Sequence, residues 1–255
     1  MSYPRNTFVW YELMSTDAAA AKLFYSQVVG WNTQDMPMPG MVYTVLSAGD
    51  VMVGGMMTMP KEALESGMKP HWVGYVAVDD VDTAAVKLKN LGGKVQYGPA
   101  DIPNVGRFAV VADPQGAVFN LFRQAQPGIP TMSMAPGHIG WRELHTTDWP
   151  RAFEFYSSMF GWQKGDSLDM GPMGTYQLFN IDGTGAGGMF NNPASDPGRY
   201  WLYYFNTGDI DAAAERVLAG GGKVCNGPQE VPGSMWIIQA TDPQGAFFAL
   251  VGKRK

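Results

Sequence analysis

The sequence predicts an α+β fold built by internal duplication, and three observations predict it. First, the stretch Trp10 to Trp31 (WYELMSTDAAAAKLFYSQVVGW) returns as Trp141 to Trp162 (WRELHTTDWPRAFEFYSSMFGW), with 11 of 22 positions identical and no gap. Second, each copy opens with period-2 alternation and then turns to a 3.6-residue apolar stripe, a strand feeding a helix. Third, FAVVADPQGAVFNLF (Phe108 to Phe122) is answered by IIQATDPQGAFFALV (Ile237 to Val251), each a hairpin turning at Asp-Pro-Gln-Gly. Strands and helices in this proportion and order point to helices packed on one face of a sheet.

In chain order, Asp17 and Asp148 supply the N-cap oxygen for the first free helix amides, and Pro150 sits where its missing N–H costs nothing. Ala21, Phe24, Tyr25 and Val28 form one apolar stripe, and Ala152, Phe155, Tyr156 and Met159 form its repeat. Gly30 and Gly161 stop the two helices at the position that favours positive φ. VYTVLSAGDVMVGGM (Val42 to Met56) answers TYQLFNIDGTGAGGM (Thr175 to Met189), a strand, a turn and a glycine-interrupted strand. Next, Trp72 to Val95 answers Trp201 to Val224: strand, aspartate cap, short amphipathic helix, glycine stop. Each half therefore holds two strand–helix–strands units. Such a unit cannot cover both faces of its own sheet, and two placed side by side can curl into an incomplete barrel, or cup. Domains are expected at 7–124 and 137–252, with the Pro/Gly/Ser-rich 125–136 as linker.

Composition narrows the function classes. The chain has 255 residues, 45% apolar and 16% charged, with no stretch long and apolar enough for a membrane span and no signal-peptide pattern. A single cysteine, Cys225, rules out a disulfide framework, and a cytoplasmic setting is expected. The net charge of −5, with basic residues clustered only at the end, argues against nucleic acid and anionic membrane as partners. A small-molecule ligand is the expected partner, with the chain a monomer or homodimer. The 17 methionines, many in MPMPGM and GGMMTMP, read as adaptable lining or loop filler.

The spaced set WxEL…TD…FY…GW, DDVD…GGKV and GP…P…DPQG…F resembles the vicinal oxygen chelate superfamily of glyoxalases, bleomycin-resistance proteins, extradiol dioxygenases and fosfomycin-resistance enzymes. The resemblance runs through nearly the whole chain twice, and is nearest to the tandem two-domain glyoxalase/bleomycin resistance/dioxygenase-like members. It implies glyoxalase/bleomycin-resistance-type domains, each two βαβββ modules forming a cup whose inward strand positions carry metal ligands. Carried onto this sequence, the first of those positions falls on Trp10 and Trp141, the next on Val73 and Leu202, and the last on Asn120 and Ala249. None is His, Asp, Glu or Cys. His71 lies two residues before Val73, without a partner ligand. A divalent cation needs several converging donors, so the reading is metal-free, with no cofactor.

Alternation sends Glu12 and Met14 to the side of Trp10, and Glu143 and His145 to the side of Trp141. Tyr75 and Asn120 face them in the first copy, Tyr204 and Asn206 in the second. Two functions follow. One is a metal-independent protein that binds a small hydrophobic or planar molecule in its cup, using Trp10, Met14, Tyr75, Asn120, Trp141, Tyr204 and Asn206. The other is a lyase- or isomerase-like enzyme with Glu143 and His145 as an acid–base pair, and Glu12 as the matching carboxylate. Because the glutamate recurs in both copies and the histidine does not, Glu12 and Glu143 also read as groups that satisfy donors and hold the barrel shut. His138 and Cys225 read as surface groups, and GTGAGGM lacks the strand–turn–helix setting of a phosphate loop.

Overall fold

The computed structural model describes residues 5–38, 40–125, 133–193 and 198–255. Most of the expected linker, residues 126–132, lies outside the described residues. The first half runs β1 (Phe8–Ser15), α1 (Ala18–Val28), β2 (Asn32–Met38), β3 (Met41–Ala48), β4 (Val51–Thr58), α2 (Lys61–Glu65), β5 (His71–Ala77), α3 (Val81–Asn90), β6 (Lys94–Ile102), β7 (Gly106–Ala112) and β8 (Val118–Gln124). The second half repeats it as β9 (Ile139–Thr146), α4 (Trp149–Phe160), β10 (Gln163–Asp169), β11 (Thr175–Ile181), β12 (Thr184–Asn191), β13 (Tyr200–Asp209), α5 (Ile210–Ala219), β14 (Lys223–Val231), β15 (Met235–Thr241) and β16 (Phe247–Lys253). Two open eight-stranded sheets result, ordered β2-β3-β4-β1-β5-β8-β7-β6 and β10-β11-β12-β9-β13-β16-β15-β14. The fold is α+β with two tandem copies, and neither sheet closes on itself.

The local chemistry explains each element. Asp17 accepts from the Ala20 amide, Asp148 from Arg151, Asp80 from Thr83 and Asp209 from Ala212, so one capping aspartate starts each principal helix. Gly30 (φ 87°) and Gly161 (φ 76°) follow α1 and α4 in the left-handed region. The four stripe residues of α1 are its buried ones, and α4 adds Phe153 and Phe160 to its stripe. The short helix α2, absent from the sequence reading, joins β4 to β5 and buries nothing. The methionine-bearing segments, read as lining or loop filler, prove to be strands β2 and β4.

The structure divides into two compact units, and each draws on both halves of the chain. One combines α1 and β2–β4 with α5 and β14–β16; the other combines α3 and β6–β8 with α4 and β10–β12. In the first unit, Tyr25 on α1 is fully buried. It receives a hydrogen bond from Trp72 Nε1 (2.9 Å) and donates to Asp242 Oδ2 (3.2 Å), the aspartate of the second-half DPQG turn. In the second unit, Trp201 Nε1 donates to the Tyr156 hydroxyl (3.0 Å), which donates to Asp113 Oδ2 (3.2 Å) of the first-half turn. The other oxygen of Asp113 accepts from the Gln115, Gly116 and Ala117 amides. Burial lifts both aspartates above the usual carboxylate range, with the turn amides and the tyrosine pulling partly the other way. Burial, then the Asp242 charge, holds Tyr25 well above the ordinary phenol value, so it remains a neutral donor.

Candidate functional site

In both copies the first strand carries a tryptophan and a glutamate on one face, and a tyrosine from the third strand joins them. Trp10 Nε1 donates to the Tyr43 hydroxyl (2.9 Å), which donates to Glu12 Oε2 (3.0 Å). Trp141 Nε1 donates to the Tyr176 hydroxyl (2.8 Å), which donates to Glu143 Oε2 (2.8 Å). Burial, then the Glu12 charge, pushes the Tyr43 phenol well up, so it serves as donor and is not ionised at neutral pH. Tyr43 and Tyr176 were missed as site residues in the sequence reading. Their signal lay in the paired glycines of the next strand. A Cβ on Gly55 would strike the Tyr43 ring and one on Gly188 the Tyr176 ring. A Cβ on Gly54 or Gly187 would strike the backbone oxygen of Tyr11 or Arg142. The glycines exist to let a ring and a strand come close.

The copies differ beside the glutamate. In β9, His145 Nε2 lies 2.9 Å from Glu143 Oε1, and both side chains are more than nine-tenths buried. His145 Nδ1 lies 2.8 Å from Asn192 Oδ1, while Asn192 Nδ2 donates to Gly198 O (2.9 Å). The Gly198 carbonyl thus fixes the amide so that its oxygen faces the ring, and Nδ1 carries a proton. Tyr200 stacks on the imidazole (4.4 Å, 16°) and Phe190 meets it edge-on (4.6 Å). In the first copy Met14 stands in place of His145, Met57 is its register partner, and Met57 in turn pairs with Tyr43, which pairs with Met36. That row is methionine on three of its four strands, and Met36 is half exposed.

The remaining sequence candidates separate. Tyr75 and Asn120 are register partners on β5 and β8, both nearly buried. Tyr204 accepts from Gln239 Nε2 (3.0 Å) and pairs with Ala249. Asn206 is committed elsewhere: its Nδ2 reaches the carbonyls of Ser133 (3.2 Å) and Ala135 (3.3 Å), clasping the approach to β9. His138 Nδ1 contacts the Pro136 carbonyl (3.4 Å), and Cys225 is exposed on an edge strand.

The pattern of the Glyoxalase/Bleomycin resistance protein/Dioxygenase superfamily matches residues 7–121 and again 136–250. The chain belongs to that superfamily. A protein named "Putative glyoxylase CFP32" from Mycobacterium tuberculosis is 33% identical over 251 residues, covering 98% of this chain and 95% of that protein. "Anthracycline biosynthesis protein DnrV" from Streptomyces peucetius is 30% identical over 258 residues, covering 96% and 93%. Among solved structures, homoprotocatechuate 2,3-dioxygenase from Brevibacterium fuscum, in complex with 3,4-dihydroxyphenylacetate, aligns with a TM-score of 0.70 at 15% identity, covering 97% of this chain and 80% of that one. The Mn(II)-bound glyoxalase from Novosphingobium aromaticivorans aligns at 0.66 and 16%, covering 98% and 83%. At that identity the two structures speak for the fold alone.

Superfamily membership raises the question of a divalent metal, and the donor set does not fit one. Trp10, Val73 and Asn120, with Trp141, Leu202 and Ala249, stand at the positions the resemblance assigns to ligands. Among the described residues, no three His, Cys, Asp or Glu side chains converge. Glu143 and His145 face each other, and each is bonded further to the protein. Among the described residues no helix is long and apolar enough to cross a membrane.

Proposed function

We propose that this superfamily member is a metal-independent binder of a small hydrophobic or planar molecule, held against the tryptophan-, tyrosine- and methionine-bearing faces of its sheets. The observation that carries this reading is the repeated Trp–Tyr–Glu relay. In both copies the carboxylate is bonded within the protein; aromatic rings stand around it in each, with thioethers beside it in the first copy and the His145 imidazole in the second. Aromatic walls with a few fixed polar groups suit a planar guest, and thioethers adapt to its outline. The name of the Streptomyces relative agrees with such a guest. The test is thermal shift and calorimetry with planar aromatic compounds, with and without chelator. Stabilisation unchanged by the chelator is expected. Turnover of the methylglyoxal–glutathione adduct that depends on an added divalent cation would overturn the reading.

A second reading has its own observation, the 2.9 Å contact of Glu143 with His145. As an acid–base pair the two could move a proton on a bound carbon acid, with Asn192 fixing the ring. Both ring nitrogens, however, face acceptors in the protein, so a substrate proton reaches neither until one of those bonds opens. That favours binding. His145→Gln separates the two readings. An enzyme loses about 10²-fold or more in kcat. A binder keeps its affinity within a few-fold, and loses it on Trp10→Ala or Trp141→Ala.

A further inference from the structure

His145 and three residues that enclose it have counterparts of a different chemistry in the first copy. Met14 stands at the place of His145. Phe190, the register partner of His145, is answered by Met57, the register partner of Met14. Asn192, whose amide donates to the Thr146 carbonyl (2.7 Å), is answered by Met59, whose amide donates to the Ser15 carbonyl (2.8 Å). Tyr200, the first residue of β13, is answered by His71, the first residue of β5. In the second copy the side chains close on one another: Phe190 and Tyr200 pack on the imidazole and Asn192 bonds it. In the first, the same frame gathers three thioethers and one imidazole.

The strands β4, β1 and β5 are neighbours, so Met57, Met14 and His71 follow one another across three strands spaced about 4.8 Å apart. Met14, Met57 and His71 are each partly exposed, which leaves the cluster within reach of solvent, while Met59 is 3% exposed. His71 Nδ1 lies 2.8 Å from the Lys69 carbonyl, which can only accept. Nδ1 therefore holds the proton and Nε2 the lone pair, the arrangement in which a metal-binding imidazole is commonly fixed. The Tyr43 ring lies over Gly55 with its hydroxyl on Glu12, and so leans away from Met57.

We infer that Met14, Met57, Met59 and His71 form a site for a soft monovalent metal ion, Cu(I), held by thioether sulfur and by His71 Nε2. Thioethers select Cu(I), whereas the hard divalent ions want oxygen donors, so a face that fails as a divalent centre suits this ion. The site lies four residues along β1 from Trp10, the position that the resemblance assigns to a divalent ligand. The Glu12 carboxylate, two residues from Met14 on the same face, offsets the charge of the ion. Binding involves no electron transfer: the ion arrives and remains as Cu(I). The inference goes beyond the guest-binding reading and does not depend on it.

The experiment is an anaerobic titration in which the full chain competes for Cu(I), kept reduced by ascorbate, with the chromophoric chelator bicinchoninate. Every chain carries Cys225→Ser, because the exposed thiol is itself a soft ligand. The protein is expected to withdraw an equimolar amount of Cu(I) and to keep it against excess Zn(II). Met57→Leu and His71→Gln should each weaken the binding about tenfold or more. Leucine keeps the volume and apolar character of methionine, so Met57→Leu removes the sulfur and spares the packing; melting curves without metal confirm that both variants fold. Met173→Leu, at a methionine 53% exposed and outside the cluster, should leave the affinity unchanged. No withdrawal of Cu(I), its release by Zn(II), or an affinity that neither substitution weakens overturns the inference and leaves the binding reading standing.

Discussion

Replacing Tyr25 by phenylalanine removes one oxygen atom and tests the brace at its centre. The ring remains, stacked on Trp31 at 5.8 Å and edge-on to Trp72 at 5.2 Å, so no cavity opens. Two buried groups lose their partner: the Trp72 indole N–H and Asp242 Oδ2, on residues only 6% and 3% exposed. Asp242 Oδ1 keeps the amides of Gln244 and Ala246, so the turn itself survives. Each orphaned buried group costs about 1–3 kcal/mol, giving about 2–6 kcal/mol for the pair. For a chain of this length that lowers Tm by about 4–24 °C. Scanning calorimetry at neutral pH reads it directly, with Tyr97→Phe, at a position 59% exposed, as the matched control expected to stay within about 1 °C. Tyr156→Phe removes the same hydroxyl from between Trp201 and Asp113 and should cost the same amount. If both variants melt within about 2 °C of wild type, the two hydroxyls contribute nothing and the brace is a coincidence of packing.

Other outcomes follow from the same geometry. Burial raises the folded-state pKa of Asp242, so the stability this one group contributes is fully present below the ordinary carboxylate value and is lost as pH rises through the raised one. Asp242→Asn lacks that loss. Its Tm relative to wild type should therefore climb as pH rises from the ordinary carboxylate value through the raised one, and a flat or falling difference would refute the assignment. Gly188→Ala drives a Cβ into the Tyr176 ring and should cost about 1–3 kcal/mol while perturbing Trp141 fluorescence. Gly185→Ala, on the same strand with its nearest neighbours at 3.9 Å, should leave stability unchanged.

Much of this was legible in the sequence because it is local. Caps, glycine stops and helix stripes are decided within a few residues, and alternation alone put Glu143 and His145 on one face. Tyr43 was harder to read. Its partners lie 31 and 33 residues away, and the clue was a glycine whose meaning shows only once the strands are paired. Asn192 holds His145 from 47 residues downstream, in a segment rich in turn-forming residues. Asn206 was assigned its face by alternation, which carries no information on which loop carbonyls arrive there. The Tyr25–Asp242 contact spans 217 residues and joins opposite halves of the chain, beyond any window in which period or motif operates.

That crossing has a consequence for how the two copies can differ. Each half supplies the tyrosine for one brace and the aspartate for the other, as two identical subunits would in an isologous dimer. Two separate identical chains would be bound by symmetry, and any substitution at one site would appear at its mate. Written as one chain, the pair is released from that bond. Histidine can stand at 145 while methionine stands at 14, and asparagine at 120 can coexist with alanine at 249. The joined chain holds one frame in duplicate and, within it, two different surfaces.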